Sequence, residues 1–252
     1  MKIIVSGATG FVGREAVRQS LAHPSITTVV ALARKPVSFT EAELLPGSDA
    51  SKLVNATIAD YGEYPPDVTA KFAGANACIW TVGMSPFKAS TFAFPEVQRV
   101  CQTCTIQGYT AMLDAGVAGP SASQPFRFVY TSGMGVEPDQ TKKPFWSPKF
   151  MLMRGETENQ VLALAAKHPS GTAAEAIACR FGMISSPGLM GSVMGGMSKA
   201  ATGWPTLTNV EAARVLIDQA VGGFFEGRTT LDAGDLARAL KSSKAKGEGA
   251  KA

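Results

Sequence analysis

The sequence is poor in the residues that metal centres and disulfide frameworks need. Its 252 residues include two histidines, His23 and His168, and four cysteines, Cys78, Cys101, Cys104 and Cys179. Each histidine precedes a proline near a predicted helix end, and neither completes a ligand set with the cysteines, so no metal site is expected. Cys101-x-x-Cys104 has the spacing of a redox pair. It falls inside a helical pattern with both residues on the apolar face, which reads as small buried hydrophobes. Long apolar runs are also missing: no stretch approaches the roughly 18 residues of a membrane span, so none is predicted. No basic stripe with interleaved aromatics exists, which excludes a nucleic-acid partner from the expectations. The first strand starts at Met1 and leaves no room for a signal or transit peptide, so a reducing, cytoplasmic setting is expected.

What is present is a globular composition. The chain is 45% hydrophobic and 17% charged, with a mild net charge of +4, enough apolar residues for a sizeable core. The length suits one α/β domain over residues 1–240. Beyond it, residues 241–252 carry Lys241, Lys244, Lys246 and Lys251 against Glu248 and read as a basic, flexible tail. No internal repeat is evident.

The chain is organised around its first thirteen residues. Ile3–Val5 read as a short buried strand, Gly7-Ala8-Thr9-Gly10-Phe11-Val12-Gly13 as a glycine turn, and Val12, Ala16, Val17 and Leu21 as one face of a helix. Strand, glycine turn and helix together place a dinucleotide pyrophosphate on a helix N-terminus, where backbone N–H groups lack intrahelical partners and the dipole favours an anion. The plainer alternative is a strand-to-helix turn that merely uses glycine. The spacing Gly-x-x-Gly-x-x-Gly resembles that of the extended and atypical short-chain dehydrogenase/reductase (SDR) superfamily.

Thr27–Ala33 is rich in β-branched residues and predicts a second strand, followed by Arg34 and Lys35. An acidic residue about 20 positions past the turn holds the ribose of NAD, whereas an arginine there accepts the 2′-phosphate of NADP with paired hydrogen bonds. Arg34 therefore predicts NADP(H), unless it merely ends a strand in solvent. Val54, Ala56 and Ile58 alternate on a third strand ending at Asp60. Ala75–Val82 predicts a fourth strand, and Thr81, Val82 and Gly83 fall at the carboxyl edge where ligands of open α/β sheets bind. Phe87, Phe92 and Phe94 in the following loop suggest a lid or apolar substrate wall, or packing onto the sheet. From Pro95 the apolar positions step by threes and fours to Gly116 and predict one long helix. Phe126–Thr131 is a fifth strand leading into Ser132, and Glu175–Phe181 a sixth.

Two later segments sharpen the resemblance. Phe150-Met151-Leu152-Met153-Arg154-Gly155-Glu156 stands where the TIP30-like (oxidoreductase HTATIP2-like) group of atypical SDR proteins has Tyr-x-x-x-Lys-Gly-Glu, and Arg180-Phe181-Gly182-Met183-Ile184 matches its Arg-Pro-Gly segment. The resemblance covers residues 1 to about 185 and implies a Rossmann-like, doubly wound parallel sheet with helices on both faces. It also implies that Asp60 contacts the adenine, although a capping or turn aspartate fits that position equally well. Ser132, Phe150 and Arg154 take the places of the catalytic serine, tyrosine and lysine. None of the four tyrosines, Tyr61, Tyr64, Tyr109 and Tyr130, has a lysine four places on. Phenylalanine cannot exchange a proton, and losing a positioned general acid forfeits about 10²–10⁴ in rate. Arg154 keeps the charge that grips a ribose. Ser132 is the nearest replacement acid, and Glu158, one turn past Arg154, is placed to pair with it. The structural alternative is that residues 150–165 are only a packing helix.

Residues 185–208, rich in glycine and methionine with Met190, Met194, Met197 and Trp204, predict a substrate-covering part or a mobile packing segment. Thr208-x-x-Glu211 is a capping box opening a helix. Thr229–Leu231 predicts a last strand and Asp235–Leu240 a last helix. The functional expectation is an NADP(H)-binding, SDR-type oxidoreductase acting on a small apolar or aromatic carbonyl or alkene with non-standard proton delivery, in a fold that admits a homodimer. The alternative is a non-redox protein on the same scaffold: a cyclase, isomerase or lyase reusing the pocket, or an NADP(H)-sensing regulator.

Overall fold

The computed structural model describes residues 1–117, 125–167 and 173–249. His168 and Lys251 lie outside them. In chain order the elements are β1 (Lys2–Ser6), α1 (Gly13–Ala22), β2 (Thr28–Ala33), β3 (Leu53–Thr57), α2 (Pro66–Thr69), β4 (Ala77–Trp80), α3 (Pro86–Ala89), α4 (Phe94–Gln98), α5 (Cys104–Asp114), β5 (Phe126–Gly133), α6 (Pro148–Lys167), β6 (Ala174–Phe181), β7 (Ile184–Ser185), α7 (Leu189–Thr202), β8 (Leu207–Thr208), α8 (Asn209–Gly222), β9 (Thr230–Leu231) and α9 (Ala233–Gly249).

Seven strands form one parallel sheet in the order β3-β2-β1-β4-β5-β6-β9. The strands read as nearly unbroken apolar runs because both faces are covered. Ile3, Val5, Val29 and Ile79 pack towards α1, α8 and α9, through Ala16, Val17, Leu21, Leu216, Ala220 and Leu236. Ile4, Val30, Cys78, Trp80, Phe128 and Tyr130 pack on the other face against Tyr109, Met112 and Leu113 of α5 and Val161 of α6. The sheet is thus the expected doubly wound, Rossmann-like one. Its winding reverses between β1 and β4, and the crevice at the carboxyl ends of those strands is where such sheets take ligands. Among the described residues no helix is long and apolar enough to cross a membrane.

Three elements depart from expectation. The helix predicted from Pro95 to Gly116 is α4 and α5 joined by a π-helical stretch, Arg99–Thr103. There Thr105 donates to the Cys101 carbonyl at 3.0 Å and accepts the Trp80 indole N–H at 3.1 Å, so the widened turn is anchored to a buried strand residue. The loop carrying Phe87 and Phe92 contains a short helix, α3, begun by Pro86 and capped by Ser85. The last helix does not stop at Leu240. It continues through residues 241–249 as α9, so most of the expected flexible tail is helical. Arg214 bonds Ser243 at 3.1 Å and Lys244 pairs with Glu211 at 3.2 Å, which ties this extension to α8.

Candidate active site

The glycine turn closes over the junction of β1 and β4. Gly7 has a φ of 74°, and a Cβ on it would lie 2.6 Å from Thr81 Oγ1. A Cβ on Gly13 would fall well inside contact distance of the Gly7 carbonyl oxygen. Only glycine fits at either position. Thr81 donates to the Ser6 carbonyl at 2.7 Å, which links the two strand ends beneath the turn. No side chain caps the start of α1; the Arg14 N–H donates to the Gly10 carbonyl at 2.9 Å, and Thr9, Gly10 and Phe11 beside it are exposed. Val12, half-buried, occupies the N-cap position.

Sequence reasoning missed Tyr61. Its hydroxyl accepts the Gly7 N–H at 3.1 Å and donates to the Leu32 carbonyl at 3.2 Å, joining the glycine turn to the end of β2. Burial pushes this hydroxyl up to about 12, so it stays protonated and able to donate. Nothing in its spacing from the glycines announces the contact, since it depends on how the loop after β3 folds back.

Arg34 and Lys35 are exposed at the end of β2 and line, with Thr9, an open cleft of about 410 Å³. Two separate expectations, the turn and the basic pair, therefore meet in one place. Asp60 is half-buried nearby. Its carboxylate accepts the Gly62 N–H at 2.7 Å and pairs with Arg99 at 2.9 Å. The Gly62 N–H, with Arg99 beside it, holds that carboxyl below the usual carboxylate range. The Gly62 contact is that of a turn aspartate, with an ion pair to the π-helical stretch added.

At the other end of the crevice, Arg154 is buried on α6. Its Nη2 donates to the Thr131 carbonyl at 2.9 Å, and its guanidinium stands 5.0 Å from the centre of the Tyr130 ring. It also closes on the end of β4, where a Cβ on Gly83 would sit 3.4 Å from Nη1, while Val82 is buried. Arg154 Nη1 and the Ser132 hydroxyl are both buried without a hydrogen-bond partner. Both atoms therefore keep hydrogen-bonding capacity open. Glu158 does not serve Arg154, contrary to the spacing argument. It is fully buried and ion-paired to Arg180 on β6, whose Nε contacts both carboxylate oxygens at 3.0 Å. Register explains the difference: Arg180 is the partner of Ser132 across β5 and β6, and so lies under α6.

Phe150 is 6% exposed and packs with Ala89, Val97, Cys101, Val136, Met151 and Met153. It forms part of the wall of a cleft of about 320 Å³, together with Phe92, Phe94, Val97 and Pro148. The aromatic loop and the tyrosine-to-phenylalanine position are thus neighbours. Beyond β6, a Cβ on Gly182 would meet the Pro205 carbonyl oxygen at 2.7 Å, and one on Gly135 would meet the Trp204 ring at 3.7 Å. The chain after α7 therefore lies over the carboxyl ends of β5 and β6, as a covering segment would. All four cysteines are free and buried, so the Cys-x-x-Cys spacing is packing.

No family model matches the chain. A curated relative, leucinostatins biosynthesis cluster protein T of Purpureocillium lilacinum, is 30% identical over 136 residues, which is 54% of this chain and 44% of that protein. The chain thus spans less than half the length of that relative. Among solved structures, MoeE5 in complex with UDP-glucuronic acid and NAD matches with a TM-score of 0.63 at 20% identity, over 92% of this chain and 76% of that one. An oxidoreductase of the short-chain dehydrogenase/reductase family from Burkholderia thailandensis matches with a TM-score of 0.61 at 14% identity, over 94% and 92%. The chain therefore shares the Rossmann-like fold of these two proteins.

Proposed function

We propose that the protein is an NADP(H)-dependent, atypical SDR-type oxidoreductase acting on a small apolar or aromatic carbonyl or activated alkene. The observation that carries this reading is the cleft shared by Thr9, Arg34 and Lys35 beside a glycine turn that tolerates no Cβ. Gly7, Gly10 and Gly13 let a pyrophosphate approach the start of α1, and Arg34 with Lys35 suits a 2′-phosphate. A nicotinamide dinucleotide bound there supplies the hydride. Arg154 Nη1 and Ser132 Oγ, both buried and unpartnered, provide hydrogen-bond donors for a ribose hydroxyl and a substrate oxygen. Phe150 packs the substrate side and excludes water but moves no proton. The Arg154 guanidinium would stabilise the negative charge that develops on the substrate oxygen, and the Ser132 hydroxyl would supply its proton and be reprotonated once the product leaves. The walls formed by Phe92, Phe94, Val97 and Phe150 support an apolar substrate, and a relative from leucinostatin biosynthesis supports a small-molecule one. The free thiols support a reducing, cytoplasmic setting.

Two experiments test this. Titration with NADPH and NADH gives tighter NADPH binding, and Arg34→Ala weakens NADPH roughly 10–100-fold, the worth of hydrogen bonds to a charged group, while leaving NADH nearly unchanged. Tighter NADH binding by the native chain overturns the cofactor assignment. In a carbonyl panel, Phe150→Tyr with Arg154→Lys raises NADPH oxidation by about 10²–10⁴ if the scaffold is a reductase lacking its acid. The burial of Phe150 in an apolar cluster favours a second reading, a non-redox protein on this scaffold. No gain from the double substitution selects it.

A further inference from the structure

The segments beside the Phe150 cleft are unlike the rest of the surface. Residues 85–94 and 140–150 hold Phe87, Phe92, Phe94, Phe145, Trp146 and Phe150, six of the aromatic residues in a chain with 13 Phe, 4 Tyr and 3 Trp. The same two segments carry Lys88, Lys142, Lys143 and Lys149 and no carboxylate, although the whole chain is nearly balanced at 24 basic and 20 acidic residues. Large apolar side chains normally leave water. Here Phe145 is fully exposed, Phe87 is 81% exposed, and Trp146 and Phe92 are each about half exposed. The four lysines are exposed as well, with Lys142 reaching Glu137 at 3.3 Å.

The tip is built to project. Pro144 and Pro148 bracket Phe145 and Trp146, fixing φ on both sides of the turn. Ser147 holds a φ of 45°, uncommon outside glycine, while its carbonyl accepts the Met151 N–H at 3.0 Å and so starts α6. The Trp146 ring meets the Phe87 ring at 6.2 Å, which joins the two segments into one ridge. The ridge runs straight into the cleft walled by Phe92, Phe94 and Phe150 with Lys149 at its edge. A protein partner of ordinary affinity would want about 800 Å² of complementary surface. A projecting aromatic wedge with exposed lysines in both of its segments instead suits the headgroup layer of an anionic bilayer. There aromatic rings favour the interface, and each lysine near the surface adds attraction.

We infer that this ridge docks the protein peripherally on an anionic lipid surface, placing the mouth of the Phe150 cleft against the lipid so that an apolar substrate enters without crossing water. The inference requires no nucleotide binding, and attachment is measured without turnover. Its failure is therefore separate from failure of the oxidoreductase reading.

The test is co-sedimentation of the full chain with vesicles of phosphatidylcholine alone and of phosphatidylcholine containing about a third phosphatidylglycerol. The expected result is binding to the anionic vesicles that weakens with salt. Phe145→Ser with Trp146→Ser should reduce it at least about tenfold, and Lys142→Gln or Lys143→Gln about fivefold each. These side chains are exposed, so an unchanged circular dichroism spectrum and melting temperature show that the variants still fold. Absence of binding to anionic vesicles overturns the inference, as does equal binding by the double variant. Concentration-dependent dimers that the double substitution dissolves, without vesicle binding, assign the ridge to a second copy of the chain and also overturn it. An acidic protein domain that competes for the ridge while vesicles do not bind overturns it in the same way.

Discussion

Gly13 leaves no space for a methyl group. A Cβ there meets the Gly7 carbonyl and, at 2.8 Å, Thr81 Oγ1. Gly13→Ala should lower stability by about 1–3 kcal/mol, the usual cost of overpacking. It should also weaken NADPH binding, and thermal unfolding with a nucleotide titration checks both. Binding retained at native strength would remove the glycine turn from the site. Tyr61 shows the opposite kind of residue. Its contact with Gly7 is as intimate as that of Thr81, but a tyrosine after a strand end has no spacing rule attached. Gly7 was legible because backbone sterics restrict what may stand at a positive φ, and Gly13 because a helix packed this close to a strand leaves no room for a Cβ. Tyr61 was not, because a single hydrogen bond across 54 residues leaves no pattern in the chain.

α6 is held to β6 by a buried ion pair rather than by the i,i+4 pairing of Arg154 with Glu158 along its own length. Glu158 is 1% exposed and meets Arg180 on β6. Removing one partner of such a pair leaves an uncompensated charge, which costs about 3–5 kcal/mol. Arg180 keeps some access to water, so Glu158→Ala should sit near the lower end of that range. Glu158→Leu with Arg180→Met should recover much of the loss. Calorimetric or denaturant unfolding decides this, and a neutral Glu158→Ala would mean that the pair contributes nothing. Repetition explains which elements could be read in advance. The strands and the helices α1, α5 and α8 repeat apolar residues with the period of their geometry, so they were placed within a few residues. The π-helical stretch Arg99–Thr103 was not, because its residues keep the same apolar face as an α-helix.

The whole molecule adds α9 along α8. Leu236, Ala239 and Leu240 are buried, whereas residues 241–245 contribute surface contacts such as Lys244 with Glu211. Truncation after Leu240 should cost no more than about 1 kcal/mol, the worth of surface pairs. Truncation after Asp232 strips the buried face and should lower the melting temperature severely. Equal effects would show that the helical extension is part of the core. The sequence alone determined the doubly wound α/β class, the glycine turn after β1, the basic pair after β2 and the absence of a Tyr-x-x-x-Lys pair. Each of these depends on neighbours in the chain, through backbone sterics, side-chain period or fixed spacing. Only the tertiary structure decided that Thr9 and Arg34 line one cleft, that Glu158 serves Arg180 instead of Arg154, and that Phe150 shares a cleft with the Phe92 loop. Those pairings join segments tens of residues apart, and it is the register of the sheet and the packing of helices on it that bring them together.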